Sequence, residues 1–200
     1  MEPTHLSLYQ LTIEAGTAFG DRHARGGLLG LPSEDLAADL FEVTQEMCGA
    51  AGLPAYEVSN HAIPGQESRH NMIYWQAGDY IGIGPGAHGR LTKNSKRGAT
   101  EAHKAPGKWL DLVEKGAVPE VAQVDLSGPD QAQEYLLMGL RVAGGIDRAR
   151  YRAMCGRDLP LTALDDMAGD GFLDLHGDNV RTTAAGRPIL NAILRKLVAG

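Results

Sequence analysis

The sequence has only two cysteines, Cys48 and Cys155, among its 200 residues. Two cysteines cannot form a disulfide framework, nor can they supply the four thiolates of a structural zinc site or the three of an iron–sulfur cluster. No apolar run approaches the roughly 20 residues that a transmembrane helix needs. Residues 1–6 (MEPTHL) also lack the basic and apolar regions of a secretory signal. These absences favour a cytoplasmic protein with no transmembrane segment.

Basic side chains are scarce, and the formal net charge is -6. Residues 1–89 carry 3 Lys or Arg against 11 Asp or Glu, whereas residues 90–108 carry 6 against Glu101 alone. One short basic segment offers no continuous track for a phosphate backbone, so we expect no nucleic-acid partner. The segment could meet the carboxylates of a small anionic ligand, or it could be a solvated surface.

The first part of the chain reads as strand, helix and strand. Residues 6–13 (LSLYQLTI) alternate apolar and polar side chains, which predicts a strand. Ser33 is a candidate N-cap for a long helix ending near Gly52, and residues 55–59 (AYEVS) resume extended structure. Strand, helix and strand in this order predict a parallel βαβ unit, followed by a loop over residues 60–68.

The predicted secondary-structure pattern changes twice after residue 89. We expect a hairpin around Asn94 and Ser95 and then a helix opening at Pro106. From residue 126 the pattern predicts short helices, a two-strand wing and a closing amphipathic helix, which together resemble a winged-helix domain. The predicted helices span 129–142, 147–155, 161–170 and 184–198, and the wing strands span 172–175 and 179–182.

Residues 84–89 (GPGAHG) match the glycine spacing G-x-G-x-x-G after a short predicted strand. A dinucleotide site needs a helix directly after the glycines, and residues 90–95 (RLTKNS) show no helical period. The glycines therefore predict a close approach of the backbone, either to a ligand or to another strand.

Residues 70–75 (HNMIYW) place an imidazole, an amide, a phenol and an indole together. On a helix His70 and Tyr74 share one face, so His70 could ligate a metal or haem iron while Tyr74 and Trp75 provide flat walls. The alternative is a hydrogen-bonded structural histidine beside core aromatics.

Five segments together resemble the HemW haem chaperones, which are radical S-adenosylmethionine (SAM) proteins related to the oxygen-independent coproporphyrinogen III oxidases. The resemblance covers essentially the whole chain, and the pattern H-N-x-x-Y-W distinguishes the chaperone branch from the oxidases. The segments are 9–17 (YQLTIEAGT), 56–62 (YEVSNHA), 68–75 (SRHNMIYW), 80–89 (YIGIGPGAHG) and 183–187 (TAAGR).

The resemblance implies an α/β fold corresponding to the C-terminal half of the family. Residues 1–90 would be the last βα units of a partial (β/α)6 radical SAM barrel. Residues 91–125 would be a connecting hairpin and helix, and 126–200 a mostly helical, winged-helix-like C-terminal domain. The family's cluster motif C-x-x-x-C-x-x-C is absent from this sequence.

The resemblance also implies two groups of site residues. Haem would be bound by His70, Asn71, Tyr74 and Trp75, with His70 as a possible iron ligand. The S-adenosylmethionine pocket would be lined by Thr12, Gly84, Gly86 and His88, at the mouth of the barrel strands.

The expected function is that of a haem chaperone, which binds haem and transfers it to apoproteins. The first alternative is the oxidative decarboxylation of coproporphyrinogen III, and the second is a non-catalytic interaction module. S-adenosylmethionine and the [4Fe–4S] cluster would belong to the full-length protein, so this chain alone should lack radical chemistry.

We therefore expect that the chain cannot assemble a [4Fe–4S] cluster, because its two cysteines lie more than 100 positions apart. Anaerobic reconstitution with iron and sulfide should leave no stoichiometric charge-transfer absorption. A full cluster complement on this chain would contradict the expectation.

Overall fold

The computed structural model describes residues 2–198, apart from the side chains of Val121 and Ala122. The chain divides into two units, one ending at Glu67 and the other beginning at Ser68. Every helix within residues 2–198 is too short or too polar to cross a bilayer.

The first unit contains a three-stranded sheet of short strands, β1 (His5–Ser7), β2 (Ala55–Glu57) and β3 (Asn60–Ala62). The strand order is β1-β3-β2, and both pairings are antiparallel. The predicted parallel pairing is wrong, because residues 60–62 form a strand instead of a loop and lie between β1 and β2. The latter two still run in the same direction, since each is antiparallel to β3.

Two helices connect β1 to β2, namely α1 (Ala18–Ala24) and α2 (Glu34–Ala50). The predicted N-cap of α2 is confirmed, because the Ser33 hydroxyl accepts the Leu36 N–H at 3.2 Å. The short helix α1 was not predicted, since its glycine-rich surroundings show no helical period. The first strand is shorter than predicted, so Thr12 lies after β1 and is exposed.

The apolar side chains that predicted α2 form a stripe of four residues that are between 48% and 68% exposed. We call Leu36, Leu40, Val43 and Met47 the α2 stripe. Exposed contiguous apolar surface favours association.

Self-association of the 200-residue chain should therefore be reduced by Leu40→Gln combined with Met47→Gln, which makes two of the four residues of the α2 stripe polar and keeps good helix-forming residues at both positions. Light scattering over a dilution series measures this, with the exposed Glu46→Gln as the matched control. If the unchanged chain is a monomer at all concentrations, the stripe does not drive association.

The second unit begins with α3 (Arg69–Trp75) and a three-stranded antiparallel sheet. Its strands are β4 (His88–Lys93), β5 (Lys96–Ala102) and β6 (Glu120–Asp125), in the order β4-β5-β6. Helix α4 (Pro106–Glu114) connects β5 to β6. The predicted hairpin is confirmed, with Asn94 and Ser95 at φ values of 51° and 60° in its turn.

The predicted series of short helices and the two-strand hairpin are also present. The helices are α5 (Gly128–Gly139), α6 (Arg148–Cys155), α7 (Leu161–Gly169), a 3-10 turn (Arg187–Ile189) and α8 (Leu190–Val198). The strands β7 (Ile146–Asp147), β8 (Leu173–His176) and β9 (Asn179–Thr182) form a sheet in the order β7-β9-β8.

The core of the second unit lies between these helices and the small sheet. Complete burial of each aliphatic side chain contributes about 1.5–3 kcal/mol relative to exposure, so this core is the main stabilising element of the unit. Its fully buried members include Leu136, Leu140, Ile146, Leu164, Val180 and Ile193.

An ion-pair network holds the hairpin of β8 and β9 to α6. Asp158 accepts hydrogen bonds from Arg148 at 2.8 and 3.2 Å and from Arg152 at 2.7 Å, and Arg152 also reaches Asp178 at 3.1 Å. The hydrogen bond from Arg148 is the largest cause that holds the pKa of Asp158 well below its usual range.

Replacing Asp158 with Asn should destabilise the chain at pH 7 by about 1–2 kcal/mol, because two arginines lose their shared carboxylate. A lowered pKa gives stability that is present above the unfolded-state pKa of about 4 and is lost as the pH falls. The difference between the two proteins should therefore shrink below about pH 4.

Denaturant unfolding at pH 7 and at acid pH measures this difference. Asp165→Asn, an exposed position on α7, is the control and should change little. Equal stability of Asp158→Asn and the unchanged chain at pH 7 would show that the network contributes nothing.

Candidate functional site

The residues predicted to bind haem all lie on the short helix α3. Ser68 caps this helix, since its hydroxyl accepts the Asn71 N–H at 3.3 Å. His70 and Tyr74 are four residues apart and share one face, whereas Trp75 is rotated from His70 by about 140° at about 100° per residue. The structure therefore separates the predicted set into two faces of one helix.

One face carries a row of aromatic rings. The His70 imidazole is exposed and meets the Tyr74 ring edge-on, with 4.8 Å between centroids and an interplanar angle of 78°. Tyr74 in turn contacts the Tyr80 ring at 4.2 Å. We call His70, Tyr74 and Tyr80 the aromatic row. A neutral imidazole presented to solvent in this way can donate a nitrogen lone pair to a metal.

Trp75 lies apart from the aromatic row. The Arg141 guanidinium carbon is 5.0 Å from the centroid of the Trp75 ring, a cation–π contact. The indole N–H is buried, and no described residue accepts a hydrogen bond from it. Trp75 thus faces the end of α5, and Arg141 covers its ring.

The segment between α3 and β4 is held by the hairpin. Arg97 donates to the Asp79 carboxylate at 2.7 Å and to the Gly78 carbonyl at 2.9 Å. Tyr80 and Arg90 exchange two backbone hydrogen bonds, at 2.7 and 2.8 Å. These contacts fix the backbone on both sides of the Tyr80 side chain.

The Arg90 side chain then connects the hairpin to α5. Its guanidinium makes hydrogen bonds of 2.7–3.2 Å to both oxygens of Glu134. The side-chain hydrogen bond to Glu134 is the main cause that raises the pKa of Arg90, and burial raises the pKa of Tyr80. Arg90 and Arg97 of the basic segment therefore form structural ion pairs. Tyr80 remains a neutral phenol near pH 7.

The glycine-rich loop, residues 81–87, folds back so that Gly82 approaches the start of β4. A Cβ on Gly82 would collide with the His88 carbonyl oxygen, while Gly84 and Gly86 have φ values of 111° and 69°. The loop leads into β4, not into a helix, so it lacks the element that holds a dinucleotide pyrophosphate. His88 is exposed at the start of β4.

The residues predicted to line S-adenosylmethionine are divided between the two units. Gly84, Gly86 and His88 belong to the second unit, whereas Thr12 belongs to the first.

Within residues 2–198 no group of three His, Cys, Asp or Glu side chains comes close enough to hold a metal ion. Cys48 is buried, and the Cys155 thiol lies within hydrogen-bonding distance of the Tyr151 and Arg157 carbonyl oxygens, at 3.4 and 3.3 Å. Most ligands of an iron atom bound at His70 would therefore have to come from outside the described residues, as the four porphyrin nitrogens do in haem.

The sequence did not single out Tyr80 or the roles of Arg90 and Arg97. Tyr80 is six residues from Tyr74 and lies beyond the end of α3, so helical spacing does not connect the two. A basic segment also gives no indication of which arginines find carboxylates in the fold.

The chain is similar in sequence to known proteins. Residues 126–189 match the model of the HemN C-terminal domain. The chain is 34% identical to Heme chaperone HemW of Escherichia coli K12, over 100% of this chain and 51% of that protein. It is 36% identical to Heme chaperone HemW of Mycobacterium tuberculosis H37Rv, over 97% of this chain and 47% of that protein.

A solved structure agrees in fold. Coproporphyrinogen III oxidase (HemN) from Escherichia coli, described as a radical SAM enzyme, superposes with a TM-score of 0.70 at 16% identity. The match covers 98% of this chain and 48% of HemN. The chain thus has the mixed α/β fold of the matched part of HemN. It spans about half the length of the curated relatives it matches. The resemblance drawn from the motifs is confirmed, and the chain belongs to the HemW family of HemN-related proteins.

Proposed function

We propose that this chain carries the haem-binding face of a haem chaperone, with His70 as an axial ligand of the haem iron. The observation that supports this most is the exposed His70 imidazole, which Tyr74 meets edge-on at 4.8 Å. A neutral imidazole is a good iron ligand, and a ring contact that restricts its orientation lowers the entropy cost of ligation.

The apolar surroundings support a large flat ligand. Ile73 precedes Tyr74 on α3, and Ile81 and Ile83 follow Tyr80; their exposed fractions are 40%, 70% and 84%. Exposed aliphatic side chains next in sequence to the aromatic row are costly in water, and covering them with a porphyrin face would remove that cost.

The other predicted residues take secondary roles in this proposal. Asn71 lies next to His70 on α3 and would lie near the ligand edge. Trp75, which Arg141 covers, supports α3 from the opposite side. Arg90 and Arg97 are mostly buried in their pairs with Glu134 and Asp79. The haem propionates would therefore be met by the exposed lysines of the 90–108 segment, of which Lys96 and Lys104 form only solvent-exposed ion pairs.

Transfer to apoproteins follows from weak retention of the ligand. A single histidine on an exposed surface holds iron with fewer bonds than a buried pair, which favours release. The naming of relatives as Heme chaperone HemW supports this role. We also propose that the protein acts in the cytoplasm.

For the longer protein we propose that residues 1–90 end a partial (β/α)6 barrel and that 126–200 form a winged-helix-like domain after the connecting residues 91–125. Thr12, Gly84, Gly86 and His88 would line S-adenosylmethionine. The cluster does not fit this chain, since two cysteines cannot supply the three or more thiolates that hold it. No step of the proposed haem binding therefore depends on it.

Coproporphyrinogen decarboxylation is not the function that we propose. The likeness to HemN at 16% identity shows the fold alone. The aromatic row also presents an exposed histidine, which haem binding would use and which decarboxylation by a cluster-bound cofactor does not explain.

His70→Ala should shift the Soret band of the haem complex and weaken haem binding about tenfold, because one iron–nitrogen bond is lost. Spectrophotometric haem titration of the 200-residue chain measures both effects. Trp75→Ala should weaken binding less and leave the band near its original position, since Trp75 is not on the His70 face.

The matched control is His176→Ala, which removes an exposed histidine of the same unit on β8. Its titration should match that of the unchanged chain. If His70→Ala binds haem with the same spectrum and affinity as the unchanged chain, His70 is not a ligand and α3 has only a structural role.

A further inference from the structure

We propose that Tyr80 is a positioning residue for His70, acting through the Tyr74 ring. The inference rests on the proposed haem binding at His70 and adds a residue to it. Tyr80 contacts Tyr74 at 4.2 Å between ring centroids, and Tyr74 contacts the His70 imidazole at 4.8 Å. The three rings thus form one continuous row from the half-buried Tyr80 to the exposed His70.

The inner end of this row is rigidly placed. The Tyr80 backbone is bound to Arg90 on both its N–H and its carbonyl, at 2.7 and 2.8 Å. The preceding residue, Asp79, is bound by Arg97 at 2.7 Å and by the Thr92 N–H at 2.7 Å. Arg90 is in turn anchored to Glu134 of α5.

The outer end of the row lies on a short helix. Helix α3 has seven residues, none of them fully buried, and Arg141 supports it on the Trp75 face, away from His70. On the His70 face, Tyr80 contributes a ring from outside the helix that contacts Tyr74.

This arrangement assigns a function to the ring of Tyr80 and not to its hydroxyl. Burial raises the pKa of the phenol, so it stays protonated near pH 7 and is a poor iron ligand there. The ring face against Tyr74 would be retained in Tyr80→Phe and lost in Tyr80→Ala and Tyr80→Leu.

The first readout is nuclear magnetic resonance of the chain without haem. In the chain labelled with carbon-13 histidine, the ring resonances of His70 are identified by their absence from the spectrum of His70→Ala. Tyr80→Ala and Tyr80→Leu should move these signals, because loss of the support lets the Tyr74 ring turn relative to the imidazole. Tyr80→Phe should leave them in place, and so should Tyr9→Ala, which removes an exposed tyrosine of the other unit.

The second readout is haem binding by the same variants. Tyr80→Ala and Tyr80→Leu should weaken haem binding about three- to tenfold and broaden the Soret band, as the imidazole samples more orientations. Tyr80→Phe should restore both properties to within about twofold. Tyr80→Leu keeps a large apolar side chain, so it tests the aromatic contact where Tyr80→Ala fails to fold.

The outcomes separate the two proposals. If His70→Ala alters the Soret band while Tyr80→Leu leaves both the band and the His70 signals unchanged, Tyr80 does not position His70 and the haem proposal stands. If Tyr80→Phe is as impaired as Tyr80→Leu, the hydroxyl acts and the ring-contact account is wrong. If His70→Ala leaves the Soret band unchanged, haem ligation at His70 fails, and the role of Tyr80 in binding fails with it.

Discussion

The ion pair between Arg90 and Glu134 connects the parts of the second unit on which the candidate site depends. Both carboxylate oxygens accept from the guanidinium at 2.7–3.2 Å, and the side chains are only 18% and 25% exposed. A bidentate, partly buried pair fixes geometry better than a surface salt bridge does. It holds the β4–β5 hairpin on α5, and the hairpin carries Tyr80 to the side of α3.

The elements that the sequence predicted are those with a local signal. The cap at Ser33, the turn at Asn94 and Ser95 and the helix opening at Pro106 all depend on residues close together in the chain. The sheet of the first unit was mispredicted, because strands of three residues are too short to show a period of two. Which of them are neighbours is decided by contacts distant in sequence.

The same contrast holds at the candidate site. Helical spacing was enough to place His70 and Tyr74 on one face, and it also puts Trp75 on another face, where Arg141 meets it. Tyr80 could not be found in this way, because its contact with Tyr74 arises only after the hairpin folds. The names of the relatives motivate the proposal of haem as the ligand, and the proposal that His70 binds its iron rests on the exposed imidazole.

Ligation of haem iron by His70 is the central claim, and nitrogen hyperfine spectroscopy tests it most directly. Ferric haem is added to the chain labelled with nitrogen-15 histidine, and the electron–nuclear coupling of the axial ligand is recorded. The account predicts a nitrogen-15 coupling in the unchanged chain and in His176→Ala, and its loss in His70→Ala. A coupling that persists in His70→Ala would assign the ligand to another histidine and contradict the account.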